Sequence, residues 1–241
     1  MAIRIGHAST GENGGRNNVA GDQTGKEVKI SNWYKNNWNQ LLRPKTKELA
    51  EKMANICEKL CQNECVGYDM NQRNTLHTEL RALGYRIDNL KKPVETDCSA
   101  FMTCIAIAAG VNGLEYNING NAPVCSTMKG PFKATKQFFV IENSKITNSD
   151  LYLRRGDILI NTKKHTVMVL TSGKYSEWVF DENKGPNVVF VQSRLASKGY
   201  LVGTIDGECG PKTVDAIKLF QMDNGITVDG VAGGDTIALL R

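Results

Sequence analysis

The chain has 241 residues, of which 41% are hydrophobic and 23% charged, the composition of one or two soluble globular domains. No apolar run is long enough to span a membrane, and Met1-Ala2-Ile3-Arg4-Ile5-Gly6 lacks the apolar stretch of a signal peptide, so a protein held in the cytosol is expected. Seven cysteines with no Cys-x-x-Cys pair support neither a zinc site nor a disulfide framework, and a net charge of +5 suits nucleic acid or the anionic polymers of a cell wall equally.

The segment from Ile3 to Thr10 reads as a first strand, and glycine and asparagine mark the stretch from Gly11 to Val28 as a loop. Asp22 and Gln23 there either line a cleft or fix the loop by their own hydrogen bonds. Trp33, Tyr34 and Trp38 gather aromatics suited to a core corner or to one wall of a groove. From Pro44 the pattern turns helical, with Leu49, Met53, Ile56, Cys57, Leu60 and Cys61 on one face and an end near Gly67. Cys57, Cys61 and Cys65, four apart, read as core packing on that helix, since a metal would want a convergent fourth ligand. A second helix over residues 74–83 stops at Gly84, and its His77 reads as structural or exposed.

In Glu95-Thr96-Asp97-Cys98-Ser99-Ala100-Phe101, Thr96 or Asp97 can cap a helix that carries Phe101, Ile105 and Ala109 on one stripe and ends at Gly110. A helix N-terminus is partly positive, so a thiol in its first turn loses its proton more readily, which makes Cys98 a candidate nucleophile. A buried structural cysteine is the competing reading. Residues 111–150 are mostly loops, with one strand expected over 137–141. Leu153 to Asn161 and His165 to Leu170, separated by Thr162-Lys163-Lys164, read as a hairpin of core strands with His165 at the mouth of the second. A histidine at a strand end can accept the proton of a cysteine at a helix start.

Asp97-Cys98-Ser99, with Arg155-Gly156-Asp157-Ile158 and His165-Thr166-Val167-Met168-Val169 downstream, resembles the NlpC-type branch of papain-like cysteine peptidases. The resemblance implies an α+β fold, a helix-borne Cys98 packed on an antiparallel sheet that supplies His165, and cleavage of cell-wall stem peptides without cofactor or metal. The family's third polar residue follows the histidine by about a dozen positions, where Glu177 stands. Its local wording, however, appears in Ile5-Gly6-His7-Ala8-Ser9. A circular permutation in which His7 orients His165 is therefore the preferred expectation, with Glu177 as the alternative. Tyr68, after a helix and a glycine, matches the family's oxyanion tyrosine, although an extra helix intervenes before Cys98.

The composition shifts across residues 181–187, which read as a linker between a catalytic domain over 1–180 and a C-terminal domain over 188–241. Asp206-Gly207-x-x-Gly210-x-x-Thr213 and Asp229-Gly230-x-x-Gly233-x-x-Thr236 are two turn-then-helix units. This segment is similar to the small all-α peptidoglycan-binding domain of wall hydrolases. Together the resemblances imply a phage or prophage endolysin, a monomer acting on the peptidoglycan of a Gram-positive host and not on nucleic acid. It would wait in the host cytoplasm until lysis. A D-glutamyl-diamino acid endopeptidase is the expected activity, an N-acetylmuramoyl-L-alanine amidase or an inert wall-binding protein the alternatives.

Overall fold

Short β-branched and apolar runs pair into an antiparallel sheet in the computed structural model, which describes residues 2–11, 15, 27–142, 144–150, 153–173, 188–200 and 202–241. The chain divides into two units, Met1–Ser172 and Gly173–Arg241. In the first, Arg4–Ala8 (β1), Val28–Asn32 (β2), Gln40–Pro44 (β3), Phe138–Ile141 (β6), Ile158–Asn161 (β7) and His165–Val169 (β8) form a six-stranded sheet ordered β2-β1-β8-β7-β3-β6. Val66–Tyr68 (β4) and Val94–Thr96 (β5) make a separate parallel pair. The expected hairpin is β7 and β8, paired from Ile158↔Met168 to Asn161↔His165.

Lys47–Cys61 forms α1, and Thr46 caps it by accepting a hydrogen bond from the Leu49 amide at 3.2 Å. This corrects the reading of Pro44 as a helical first turn: Pro44 ends β3 opposite Phe138. A proline's fixed φ suits either setting, and at the end of a strand its missing N–H is tolerated. Cys65 lies beyond the end of α1, so the three cysteines do not share one helix face as expected. At Gly6 a Cβ would stand 2.5 Å from Cys57 Sγ, so a larger residue there would force the α1 side chains against β1 to shift.

Thr75–Ala82 is α2, and Cys98–Ala108 is α3, whose N-cap Asp97 accepts a bond from the Ala100 amide at 2.7 Å. Every residue of α3 from Cys98 through Ala106 is buried, because the helix packs among α1, α2, β1 and β8. A single apolar stripe therefore understates it. Lys129–Ala134 (α4) and Ser144–Thr147 (α5) complete the unit.

The Arg155-Gly156-Asp157 turn fixes β7 against the rest. Gly156 has φ of +90°, and a Cβ there would meet the Ala50 backbone at 2.6 Å. Asp157, fully buried, receives both Arg43 Nε at 2.8 Å and Nη2 at 2.6 Å. Arg155 reaches back to Glu51 and Glu58 of α1 at 2.9 and 2.7 Å. The motif is thus scaffold: a tight turn, a buried ion pair that would leave an unpaired charge if broken, and a clamp on α1.

In the second unit Val188–Ser197 (α6), Pro211–Asp223 (α7) and Gly234–Leu240 (α8) enclose a core that includes Leu195, Ile217, Phe220 and Leu240. A buried glutamine organises each repeat. Gln192 Nε2 donates to Asp206 Oδ1 at 2.9 Å and Thr213 Oγ1 at 3.1 Å, while its Oε1 accepts from the Gly207 amide at 2.9 Å. Gln221 does the same with Asp229 at 2.7 Å, Thr236 at 3.1 Å and the Gly230 amide at 2.9 Å. Replacing Gln221 with leucine strands these partners, and a loss of about 2 kcal/mol in this unit is expected. Urea denaturation followed by a C-terminal probe checks it, and an unchanged midpoint would refute the keystone role. Among the described residues no helix is long and apolar enough to cross a membrane.

Candidate active site

Strand register assembles the polar row at the centre of the site. Ile5 lies opposite both Ser31 and Val169, so alternation places Ser31, His7 and His165 diagonally across β2, β1 and β8 on one face. His7 Nδ1 stands 2.9 Å from His165 Nε2, and His7 Nε2 stands 3.0 Å from Ser31 Oγ. With His165 Nε2 committed to His7, Nδ1 is the ring nitrogen left free, and His165 lies close enough to Cys98 to pull the thiol's pKa down. A consistent assignment runs from His165 Nε2–H to His7 Nδ1, then from His7 Nε2–H to Ser31 Oγ.

Burial, with His165 and Lys29 close by, depresses the pKa of His7 from the ordinary 6.5 to about 3. His7 therefore stays neutral at any working pH and serves as acceptor, not counter-charge. The unfolded chain takes up this proton near the ordinary histidine value whereas the folded chain refuses it until about pH 3, so the stabilisation is full above 6.5 and lost as pH falls. His7→Asn should flatten the acid decline in stability by up to about 1.4 kcal/mol per pH unit. Denaturation midpoints between about pH 6 and about pH 4 test this, and parallel curves for parent and variant would contradict it.

Cys98 opens α3 and is 8% exposed. Arg73 holds the helix start: its Nε lies 2.6 Å from Asp97 Oδ2, and its Nη2 donates to Ser99 Oγ at 2.8 Å. The Cys98 sulfur lies 3.6 Å from Cys125 Sγ. The expected easy ionisation is corrected here. The hydrogen bond with Cys125 and burial push the Cys98 thiol well above its usual pKa, while His165 pulls the other way. Cys125 moves down, chiefly through the hydrogen bond from Cys98. The setting keeps this thiol neutral at rest.

Of the aromatic trio, Trp38 is a core residue and Tyr34 is exposed. Trp38 is fully buried with its ring 6.3 Å from that of His165, whereas Tyr34 is 39% exposed and 6.4 Å from the His7 ring. Burial, and to a lesser degree Cys98, raise the pKa of the Tyr34 hydroxyl. Tyr68 is buried on β4 opposite Thr96, and its amide donates to Glu27 Oε2 at 2.9 Å. His77 stacks on Tyr116 at 3.8 Å and hydrogen-bonds the Tyr85 hydroxyl at 3.2 Å, a packing role. Glu177, Asp22 and Gln23 lie outside the described residues. Ser31, Arg73 and Cys125 were not singled out from sequence; none sits in a local pattern that marks it. Among the described residues no group of three or more His, Cys, Asp or Glu is placed to hold a metal ion.

A helix-start cysteine and two histidines hydrogen-bonded across an antiparallel sheet lie together in a domain of mixed helices and sheet. The chain belongs to the endolysin-like domain family, whose match covers residues 5–176. A second family match, to a peptidoglycan binding domain, covers residues 184–240. A 64-residue stretch is 42% identical to the N-acetylmuramoyl-L-alanine amidase CwlL of Bacillus licheniformis, covering 24% of this chain and 18% of that protein. The Spore cortex-lytic enzyme of Bacillus cereus is 41% identical over 56 residues, 23% of this chain and 22% of that protein. The N-acetylmuramoyl-L-alanine amidase CwlM of Mycobacterium tuberculosis is 34% identical over 56 residues, 23% of this chain and 14% of that protein. The chain thus spans less than a quarter of the length of these curated relatives. No solved structure matches it.

Proposed function

We propose that this chain is an endolysin that hydrolyses an amide bond in the stem peptides of bacterial peptidoglycan, with Cys98 as nucleophile, His165 as general base and His7 as its orienting partner. The observation that carries the reading is the hydrogen-bonded row His165, His7 and Ser31, with Cys98 at the start of α3 near enough for His165 to pull its pKa down. His165 Nδ1 takes the thiol proton as sulfur attacks the scissile carbonyl, and backbone N–H groups at the start of α3 stabilise the oxyanion. The imidazolium then protonates the leaving amine, and water, deprotonated by His165, releases the acyl group from Cys98. Neutral His7 keeps the His165 ring oriented by accepting from its Nε2–H throughout.

The NlpC-type resemblance favours cleavage between D-glutamate and the diamino acid, with β1 supplying a strand that the family carries after the histidine. Residues 1–180 would then be the catalytic domain, 181–187 the linker and 188–241 the wall-binding module. Tethering raises the local concentration of substrate without a new contact at the site. The names of two relatives favour a second bond, the amide between muramic acid and L-alanine. Mass spectrometry of digested peptidoglycan separates them: a new amino terminus on the diamino acid supports the first, one on L-alanine the second. Wall fragments with neither terminus would defeat the proposal.

A further inference from the structure

We infer that Cys98 and Cys125 form a reversible redox latch, in which an intramolecular disulfide takes the nucleophilic sulfur out of reaction; this rests on the reading of Cys98 as nucleophile. The two sulfurs are 3.6 Å apart although the residues are 27 apart in sequence. A disulfide needs about 2.05 Å between sulfurs, so modest rotations of two side chains close the remaining gap. Cys98 stands at the helix start, whereas Cys125 stands in the turn before α4, where the Val124 amide donates to Thr127 Oγ1 at 3.1 Å.

One side chain fixes both segments. Arg73 pairs with Asp97 at 2.6 Å and donates to Ser99 at 2.8 Å, on either side of Cys98. The same guanidinium donates to the carbonyl oxygens of Ala122 at 3.1 Å and Pro123 at 3.2 Å, just before Cys125. The cysteines therefore face one another across a common anchor. Cys57 and Cys61 are also neighbours, but they lie one turn apart on α1, where a disulfide would require the helix to distort.

The oxidant is a low-molecular-weight disulfide such as oxidised glutathione. Cys125, the more exposed of the two, attacks one of its sulfurs as thiolate, forms a mixed disulfide and expels one thiol. Cys98 then attacks the Cys125 sulfur and expels the second. Two protein thiols are oxidised, one small disulfide is reduced to two thiols, and both protein protons end on the released thiols at acidic or neutral pH. A reducing thiol reverses each step.

The test treats the full chain with oxidised glutathione, blocks free thiols at acid pH, and maps peptides by mass spectrometry beside a wall-clearing assay. A peptide pair cross-linked through Cys98 and Cys125 is expected, distinct from glutathione carried by exposed Cys209, with clearing lost and then restored by dithiothreitol. Absence of the cross-link, with Cys98 unmodified or carrying glutathione while Cys125 stays free, would overturn the latch whatever Cys98 does in catalysis. A cross-link that forms with clearing undiminished would overturn it differently, by removing Cys98 from the reaction.

Discussion

Wall clearing by a Cys98→Ser variant is expected to fall by roughly four to six orders of magnitude, the scale on which removal of a covalent nucleophile acts elsewhere. The substitution is nearly isosteric, and the surroundings of position 98 are set by other groups: the Asp97 cap on the Ala100 amide and the Arg73 ion pair remain in place. The thermal midpoint should therefore stay within a few degrees, and the wall-binding unit should be unaffected. What is lost is acidity. Even with its pKa raised by burial and Cys125, a thiol gives its proton to an imidazole far more readily than a serine hydroxyl does, and neutral His7 adds no negative charge to help His165 take it. Turbidity loss of purified walls measures the effect. Clearing within tenfold of the parent would mean that the thiol is not the attacking group, and the buried structural reading of Cys98 would then stand.

Legibility in the sequence followed the range of the interaction that fixes each feature. The α3 start and the β7–β8 hairpin obey local rules, a cap before an apolar run and two apolar runs around a polar turn, and both lie where those rules put them. The three-residue strands β4 and β5 are too short to show alternation and exist because they pair with one another. Pro44 misled because φ near −65° serves a strand end as well as a helix start. His7 was legible as a word, Ile5-Gly6-His7-Ala8-Ser9, but Ser31 behind it depends on the β1–β2 register and Cys125 on how a distant turn folds back. The direction in which the Cys98 thiol is pushed escaped for the same reason: helix position can be read from sequence, while burial and a second sulfur cannot. In the C-terminal unit the Asp-Gly turns repeat visibly, whereas the glutamines that hold them stand 14 residues before Asp206 and 8 before Asp229, unequal spacings that hide the period.

His7→Ala is expected to lower clearing by roughly two to three orders of magnitude, because an unsupported imidazole spends most of its time in the wrong tautomer or orientation. His7 supplies the acceptor at 2.9 Å from His165 Nε2 and is itself held by Ser31 at 3.0 Å, so alanine removes both the acceptor and its anchor. Since His7 does not ionise until about pH 3, no limb of the pH–rate profile above that is its own titration, and its loss should act chiefly on the height of the profile. A side chain that merely filled space would show no such selectivity. His7→Asn carries an amide oxygen that can accept from the His165 ring, and it should recover a substantial part of the lost rate where alanine and leucine do not. The competing orienter is Glu177, whose carboxylate would stabilise the imidazolium by charge as well as by hydrogen bonding, and its removal would then shift the profile. On the His7 reading, Glu177→Ala clears walls within about twofold of the parent, the change usual for a residue outside the reacting groups. Activity retained in His7→Ala and lost in Glu177→Ala would transfer the role to the glutamate and end the case for a permuted sheet.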